Sequence, residues 1–430
     1  MYSKINFSNK SFSNDFFQFS AVILLSIFPL LFFLGTALIN ISIIILDVIF
    51  ISELLIKRRL NFLKNYIFFS LILLWITFLI NIIFSIDPLN SFDRGFGFIR
   101  FIFFIMLVLY YFNINNEKYQ KIILYSWLII FSITSLDLIF ELVNGKNILG
   151  FQSYIHGRLA GFFNDELIIG HFYYAFILII LSFILKIFSN NKFNVINKEY
   201  DLKNFIYLFI FLFLLISFLI GERSNFIKVL IMILLFTFFF ERKLFKLKVI
   251  LFSSFFILIV IIINSNDQYK KRFVNQFINQ YLENPVKNIF KSEHGGHYLT
   301  ALKVYNNNKV FGVGFKNYGN EIKKKEYKYF FYINSVDPST HPHQIHFEFI
   351  AELGLFGYFS LMVFFIYHFY KYIKQRNFNN NLNLSGLLFV FTSLLPLLPS
   401  GSFFTSHSAT LFWMNFAFMC LNQKEINYNF

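Results

Sequence analysis

Residues 17–55 read FQFSAVILLSIFPLLFFLGTALINISIIILDVIFISELL. A helix needs only about 20 apolar residues to cross a bilayer core, and this run is nearly twice that. Lys4 and Lys10 precede it, as charges precede the apolar region of a signal peptide, but the run is too long and no small-residue cleavage site follows. It reads as two retained spans, about 17–35 and 38–55, divided at Gly35. Ten further apolar segments follow at about 65–85, 95–112, 121–143, 166–188, 204–220, 225–240, 248–263, 345–372, 385–399 and 406–421. Composition agrees: 57% of residues are hydrophobic and 14% charged, whereas a soluble domain has about half and a quarter. The expected fold is an all-α polytopic membrane protein, one membrane domain over 1–430 with about twelve transmembrane helices (17–263 and 345–421).

The charges orient this bundle. Lys57, Arg58, Arg59 and Lys64 follow span two, and Lys186, Lys192, Lys198 and Lys203 follow span six. Arg242, Lys243, Lys246 and Lys248 follow span eight, and Lys371, Lys374 and Arg376 follow span ten. The short odd-numbered linkers hold little more than Arg94, Lys146, Arg158 and Arg223. The positive-inside rule then puts both termini and the even linkers in the cytoplasm. Much of the net charge of +15 is therefore topological, which argues against nucleic acid as a partner. The single cysteine, Cys420, excludes an intrachain disulfide and a Cys-based zinc site.

One outer linker is long. Residues 264–344 form an expected loop on the outer face between spans nine and ten, and a loop of that length is functional or disordered. Its pattern is structured: Phe273, Phe277 and Tyr281 share a helix face, HYLTALKVYNN (297–307) reads as a second helix, and GVGFKNYG (312–319) as a tight turn. Asp337-Pro338 opens a last turn. A small helical cap on the outer surface is expected.

Three polar clusters fall on that face: HGRLAGFFNDE (156–166), GERSN (221–225), and the loop from SEHGGHYLTALK (292–303) to HPHQIH (341–346). Arg158 and Arg223 present fixed forks of donors suited to a diphosphate. The plainer alternative pairs Arg158 with Asp165 or Glu166, and Arg223 with Glu222. Pro342 suits a first helical turn, which sets His341 and His343 at the N-terminus of span ten. A helix N-terminus disfavours imidazolium, so a neutral His343 can take a proton near pH 7. His343 and His346 share a face at i, i+3, but no cysteine is near and the spacing matches no strong zinc signature. Glu352 lies deeper on the same span and reads as protonated or paired with a cation from another span. Gly354 and Gly357 read as close-packing positions. Arg100, Asp137, Glu141 and Lys228 are membrane-embedded charges with no partner assigned. There is no Asp-x-Asp pair and no phosphate loop.

Taken in order, GRLAGFFND (157–165), GERSNFIKVL (221–230), GVGFKNY (312–318) and HPHQIHFEFIAELGLFGYF (341–359) resemble the bacterial O-antigen ligase/polymerase family, over most of the chain. The resemblance implies a membrane glycosyltransferase acting on glycans carried by undecaprenyl diphosphate, with lipid A-core or another glycan as acceptor and no cofactor. It implies diphosphate-binding roles for Arg158 and Arg223. Its histidine entering span ten matches His343 as catalytic base, with Gln344 where asparagine is usual. Its basic residue upstream of the Gly-x-Gly turn is replaced by His294 or His297, which join His341 as substrate-binding candidates. No metal is required if arginines neutralise the diphosphate. The rival enzyme is the repeat-unit polymerase, and a third reading attaches the glycan to protein. From another class comes a lipid-linked glycan transporter or flippase, which explains the buried charges but not the large loop.

Overall fold

The computed structural model describes residues 9–113, 117–164, 166, 168–188, 192–195, 198–201, 205–240, 244–275, 293–327, 339–375 and 380–421. Phe277, Tyr281, Asp165, the Asp337-Pro338 turn and the linker charges Lys4, Lys203, Arg242, Lys243 and Arg376 lie outside them.

A helix stands at each of the twelve expected places. The first are α1 (Asn9–Leu31), α2 (Thr36–Ile56) and α3 (Tyr66–Ile83). Next, α4 (Pro88–Gly95) runs through a 3-10 turn into α5 (Ile99–Asn113). Then come α6 (Glu117–Asn144), α7 (Ile169–Phe188), α8 (Ile206–Leu219), α9 (Arg223–Phe240) and α10 (Phe245–Ser265). Within the large loop lies α11 (Glu293–Asn307), and beyond it α12 (Ile345–Gln375), α13 (Asn381–Ser393) and α14 (Ser406–Met419). Among the described residues, seven segments are long and apolar enough to cross a membrane: α2, α3, α4–α5, α6, α7, α10 and α12. At 14, 13 and 14 residues, α8, α13 and α14 fall short of the usual length. The expected count is met in helices and not in full-length spans.

Local chemistry sets the boundaries. Gly35, at φ 106°, breaks the opening run where expected. Asn65 caps α3 by accepting from Phe68 N (3.0 Å), and Asp87 caps α4 by accepting from Asn90 N (3.1 Å), with Pro88 in the first turn. The run expected at 385–399 starts earlier, at an Asn380 cap, and stops at Ser393. Pro396 accounts for the stop, since proline disfavours helix in the residue before it. Among the described residues the all-α expectation has one exception: Lys192–Val195 pairs antiparallel with Lys198–Asp201 after α7.

The helices pack around α7. Its apolar window is 78% buried, against 17% for α10 at the periphery. Aromatic rings fill the core, with Trp127, Tyr173, Tyr174 and Trp413 fully buried. A second, smaller core joins the loop to the bundle: Ala301 and Val304 of α11 meet Val313, Tyr318, Ile322, Tyr327 and Ala351 of α12. Here HYLTALKVYNN is helical, as its pattern predicts.

The GVG turn does more than reverse the chain. Gly354 adopts φ 64°, ψ −167° and interrupts α12, and the close approach expected of it is made to loop 309–314 instead of another helix, since a Cβ there would overlap the Val310 carbonyl oxygen. Loop 309–314 fills that break. Val313 N donates to Ala351 O (2.9 Å) and Gly314 N to Glu352 O (2.8 Å). In return Leu355 N donates to Lys309 O (2.9 Å) and Phe356 N to Val310 O (3.0 Å). Asn81 of α3 donates to Phe311 O (2.5 Å). A Cβ on Gly312 would come within 2.5 Å of the Glu352 carbonyl carbon, so only glycine admits this approach.

Candidate active site

Two basic clusters form where the loops meet. The first starts from Glu141 of α6. Its carboxylate accepts from Ala160 N and Gly161 N (both 2.8 Å). Asn147 holds the same loop, accepting from Phe151 N (2.7 Å) and donating to Gly161 O (2.7 Å). Leu159 N then donates to Ile220 O (3.1 Å), tying this loop to the α8–α9 turn. Gly157 and Gly221, at φ 76° and 79°, let the two backbones touch. That contact brings Arg158 and Arg223 together.

Their partners differ from the expected ones. Arg158 pairs with Glu222 at 2.9 Å, not with Glu166. Glu222 also accepts from Gly170 N (3.1 Å) and Asn225 Nδ2 (2.6 Å). Arg223 Nη1 donates to Arg272 O (3.3 Å), and Arg272 Nε donates to Gly221 O (2.6 Å). Arg272 is a third arginine that the motif reading missed. Its signal was the run Lys270-Lys271-Arg272 beside a span end where the positive-inside rule disfavours basic residues. Burial, then the guanidiniums of Arg158 and Arg223, push Arg272 down to about 10. Among the described residues the three guanidiniums gather with the Glu222 carboxylate, and an anion seated among them would take charge-assisted hydrogen bonds.

Because a Cβ on Gly221 would overlap the Gly157 carbonyl oxygen, Gly221→Ala forces the two loops apart. It is expected to reduce activity about 100-fold, as small misplacements of positioning groups do. Purified variant assayed beside wild type checks this, and equal rates would show that the contact does not set the site.

The second cluster gathers four histidines. His294 and His297 lie at i, i+3 on α11, which packs on α12 through Tyr298 stacked on Phe347 (4.7 Å). The His343 ring centroid lies 4.2 Å from that of His341, 4.9 Å from His297 and 5.9 Å from His294. His343 Nε2 is 2.9 Å from Ser339 Oγ, and His343 O accepts from Ser400 N (2.8 Å). At φ 56° the residue sits in a backbone region that costs energy and often marks function.

Helix α12 begins at Ile345, not at Pro342. Gln344 caps it: its Oε1 accepts from His346 N (2.8 Å) and Phe347 N (3.0 Å), an N-cap pattern. So the extra methylene of Gln344 still serves a capping amide. His346, the helical neighbour that a zinc reading would use, turns to Leu394 O (2.8 Å) and Tyr358 OH (3.2 Å). Among the described residues no group of three or more His, Cys, Asp or Glu is placed to hold a metal ion. Glu348 accepts from Ser402 Oγ and from Phe403 N (2.7 Å). Glu352 has no hydrogen-bond partner among the described residues, and Arg94 of α4 faces it electrostatically.

Burial, then the neighbouring imidazoles His341, His297 and His294, push His343 down to about 3. His297 and His341 are lowered to about 4, mainly by burial. The unfolded chain has histidines near about 6.5, so below that pH it binds more protons than the folded protein. The rings' stabilising contribution is present above pH ~6.5 and is lost as pH falls towards the folded values. Thermal unfolding in detergent should therefore show a lower midpoint at about pH 5 than at about pH 7.5. An unchanged midpoint would mean that the cluster does not hold its rings neutral.

The structure thus places Arg158 and Arg223 in one cluster and His294, His297, His341 and His343 in another. Beside the first cluster Lys228 of α9 faces Glu222 and His171 of α7 electrostatically, and the His171 ring lies 5.7 Å from that of His407 of α14. The segment 394–405 runs from the Ser400 contact with His343 to the start of α14.

Residues 208–362, from α8 into the middle of α12, match the family model described as O-antigen ligase. The match takes in Arg223, Arg272 and all four clustered histidines, and shows the family resemblance over that segment. No curated protein matches the chain.

Proposed function

We propose that this O-antigen-ligase-like chain transfers a glycan from undecaprenyl diphosphate to an acceptor hydroxyl at the periplasmic face of the inner membrane, with lipid A-core as the acceptor. What supports this reading is that a cradle of three arginines and a cluster of neutral histidines both form in loops at the same end of the bundle. The cradle holds the anionic leaving group. The imidazole takes the acceptor's proton.

The chemistry balances on these groups. The acceptor O–H gives its proton to His343 Nε2, and the oxygen bonds to the anomeric carbon. The bond from that carbon to the diphosphate oxygen breaks, and its electron pair stays on the diphosphate. Guanidiniums already in place stabilise that charge without reorganising. In the empty site His343 is a weak base. The arriving diphosphate, a nearby negative charge, raises its proton affinity. Direct displacement inverts the anomeric carbon. Residues 264–344 serve as the cap over this site, and both termini lie in the cytoplasm.

A deletion strain complemented with the wild-type gene tests the reading on a surface-glycan gel. A ligase is supported if deletion leaves no glycan on the core and complementation restores the ladder. Single repeats on the core would make the enzyme a polymerase. A ladder unchanged by deletion would overturn the assignment to this pathway.

A further inference from the structure

Lys228 is the least explained charge in the bundle. It is 4% exposed, on α9, five residues beyond Arg223. No hydrogen bond or ion pair reaches its ammonium among the described residues. A buried, unpaired ammonium is among the costliest things a membrane protein can carry, and such a charge calls for an anion.

Its surroundings say which anion. The charged group facing it is Glu222, the residue that pairs with Arg158. His171 also faces it electrostatically, and the His171 ring lies 5.7 Å from His407. His407 Nε2 is buried without a hydrogen-bond partner. Five residues of helix set Lys228 about 7.5 Å below Arg223 along the axis, and side chains on a helix tilt back toward its N-terminus. Lys228 adjoins the arginine cluster through Glu222, which pairs with Arg158 at 2.9 Å and faces Lys228 electrostatically, so a second cation stands deeper on α9 than Arg223. A diphosphate on a lipid has two phosphates at two depths as well.

We propose that Lys228 holds the lipid-proximal phosphate of the donor, beneath the arginines that hold the sugar-proximal one, with His171 and His407 as its neighbours. This rests on the reading of the donor as a polyprenyl diphosphate. It gives the ammonium a role that offsets its cost: in the loaded protein the ligand supplies the partner. It also makes the site selective for diphosphate over monophosphate, which cannot reach both levels.

The test uses binding and stability, independent of transfer. Full-length protein in detergent is titrated with geranylgeranyl diphosphate and with geranylgeranyl monophosphate while thermal unfolding is followed. Wild type is expected to respond to the diphosphate at lower concentration. In Lys228→Met the concentration needed should rise about 10- to 100-fold, the worth of hydrogen bonds to a charged group, and the preference over monophosphate should vanish. The empty variant should unfold about 2–4 °C higher than wild type, because an apolar side chain replaces an unpaired buried charge. A variant less stable than wild type would make Lys228 a structural partner of Glu222 and overturn the proposal, as would an unchanged diphosphate response. A wild type that answers to diphosphate yet moves no glycan supports this site and sinks only the transferase reading.

Discussion

His343→Ala is expected to lose transfer by about 10²–10⁴-fold, the usual worth of a positioned general base, with the protein still made and inserted. The ring can take a proton, and burial, with the neighbouring imidazoles, keeps it neutral in the empty site. The loss has to be separated from backbone strain. At φ 56° alanine costs about 1–2 kcal/mol, whereas asparagine tolerates this region better. His343→Asn therefore keeps the turn and removes the base. Both variants should fail to restore the surface ladder, and the asparagine variant should match wild type in unfolding temperature. Wild-type transfer by either would remove His343 from the chemistry.

Arg272→Gln is expected to lower kcat by about 10²–10³-fold, the scale seen when one donor to a developing negative charge is removed. The residue does two things at once. Its Nε holds the Gly221 carbonyl, and its charge completes the trio. Glutamine removes the charge and relieves repulsion among the guanidiniums, so stability should change little. Arg272→Lys keeps the charge and loses the planar fork, and should recover only part of the rate. Full activity in Arg272→Gln would reduce the cradle to Arg158 and Arg223.

The sequence made the bundle legible because apolar runs and basic linkers obey long-range rules of the bilayer. Gly35, the 297–307 helix and the polar motifs were all readable in that way. What stayed hidden depended on tertiary contact. The Arg158–Glu222 pair joins residues 64 positions apart, and no local spacing announces it. Arg272 sat just outside a motif and looked like a flanking charge. The capping role of Gln344 required the true helix start, which a proline two residues earlier had disguised. The break at Gly354 stayed hidden because a broken helix and a continuous one share the same apolar pattern.

That break has a consequence for how the protein is made. During synthesis α12 cannot complete its own backbone pairing: the carbonyls of Ala351 and Glu352 and the amides of Leu355 and Phe356 need loop 309–314. Left open in hydrocarbon, each such group costs several kcal/mol. The helix is thus not an autonomous unit of membrane insertion, and it matures only when a segment translated 38 to 46 residues earlier folds back onto it. A truncation that trims the loop would not yield a smaller enzyme. It would yield a chain whose tenth apolar segment never finishes assembling.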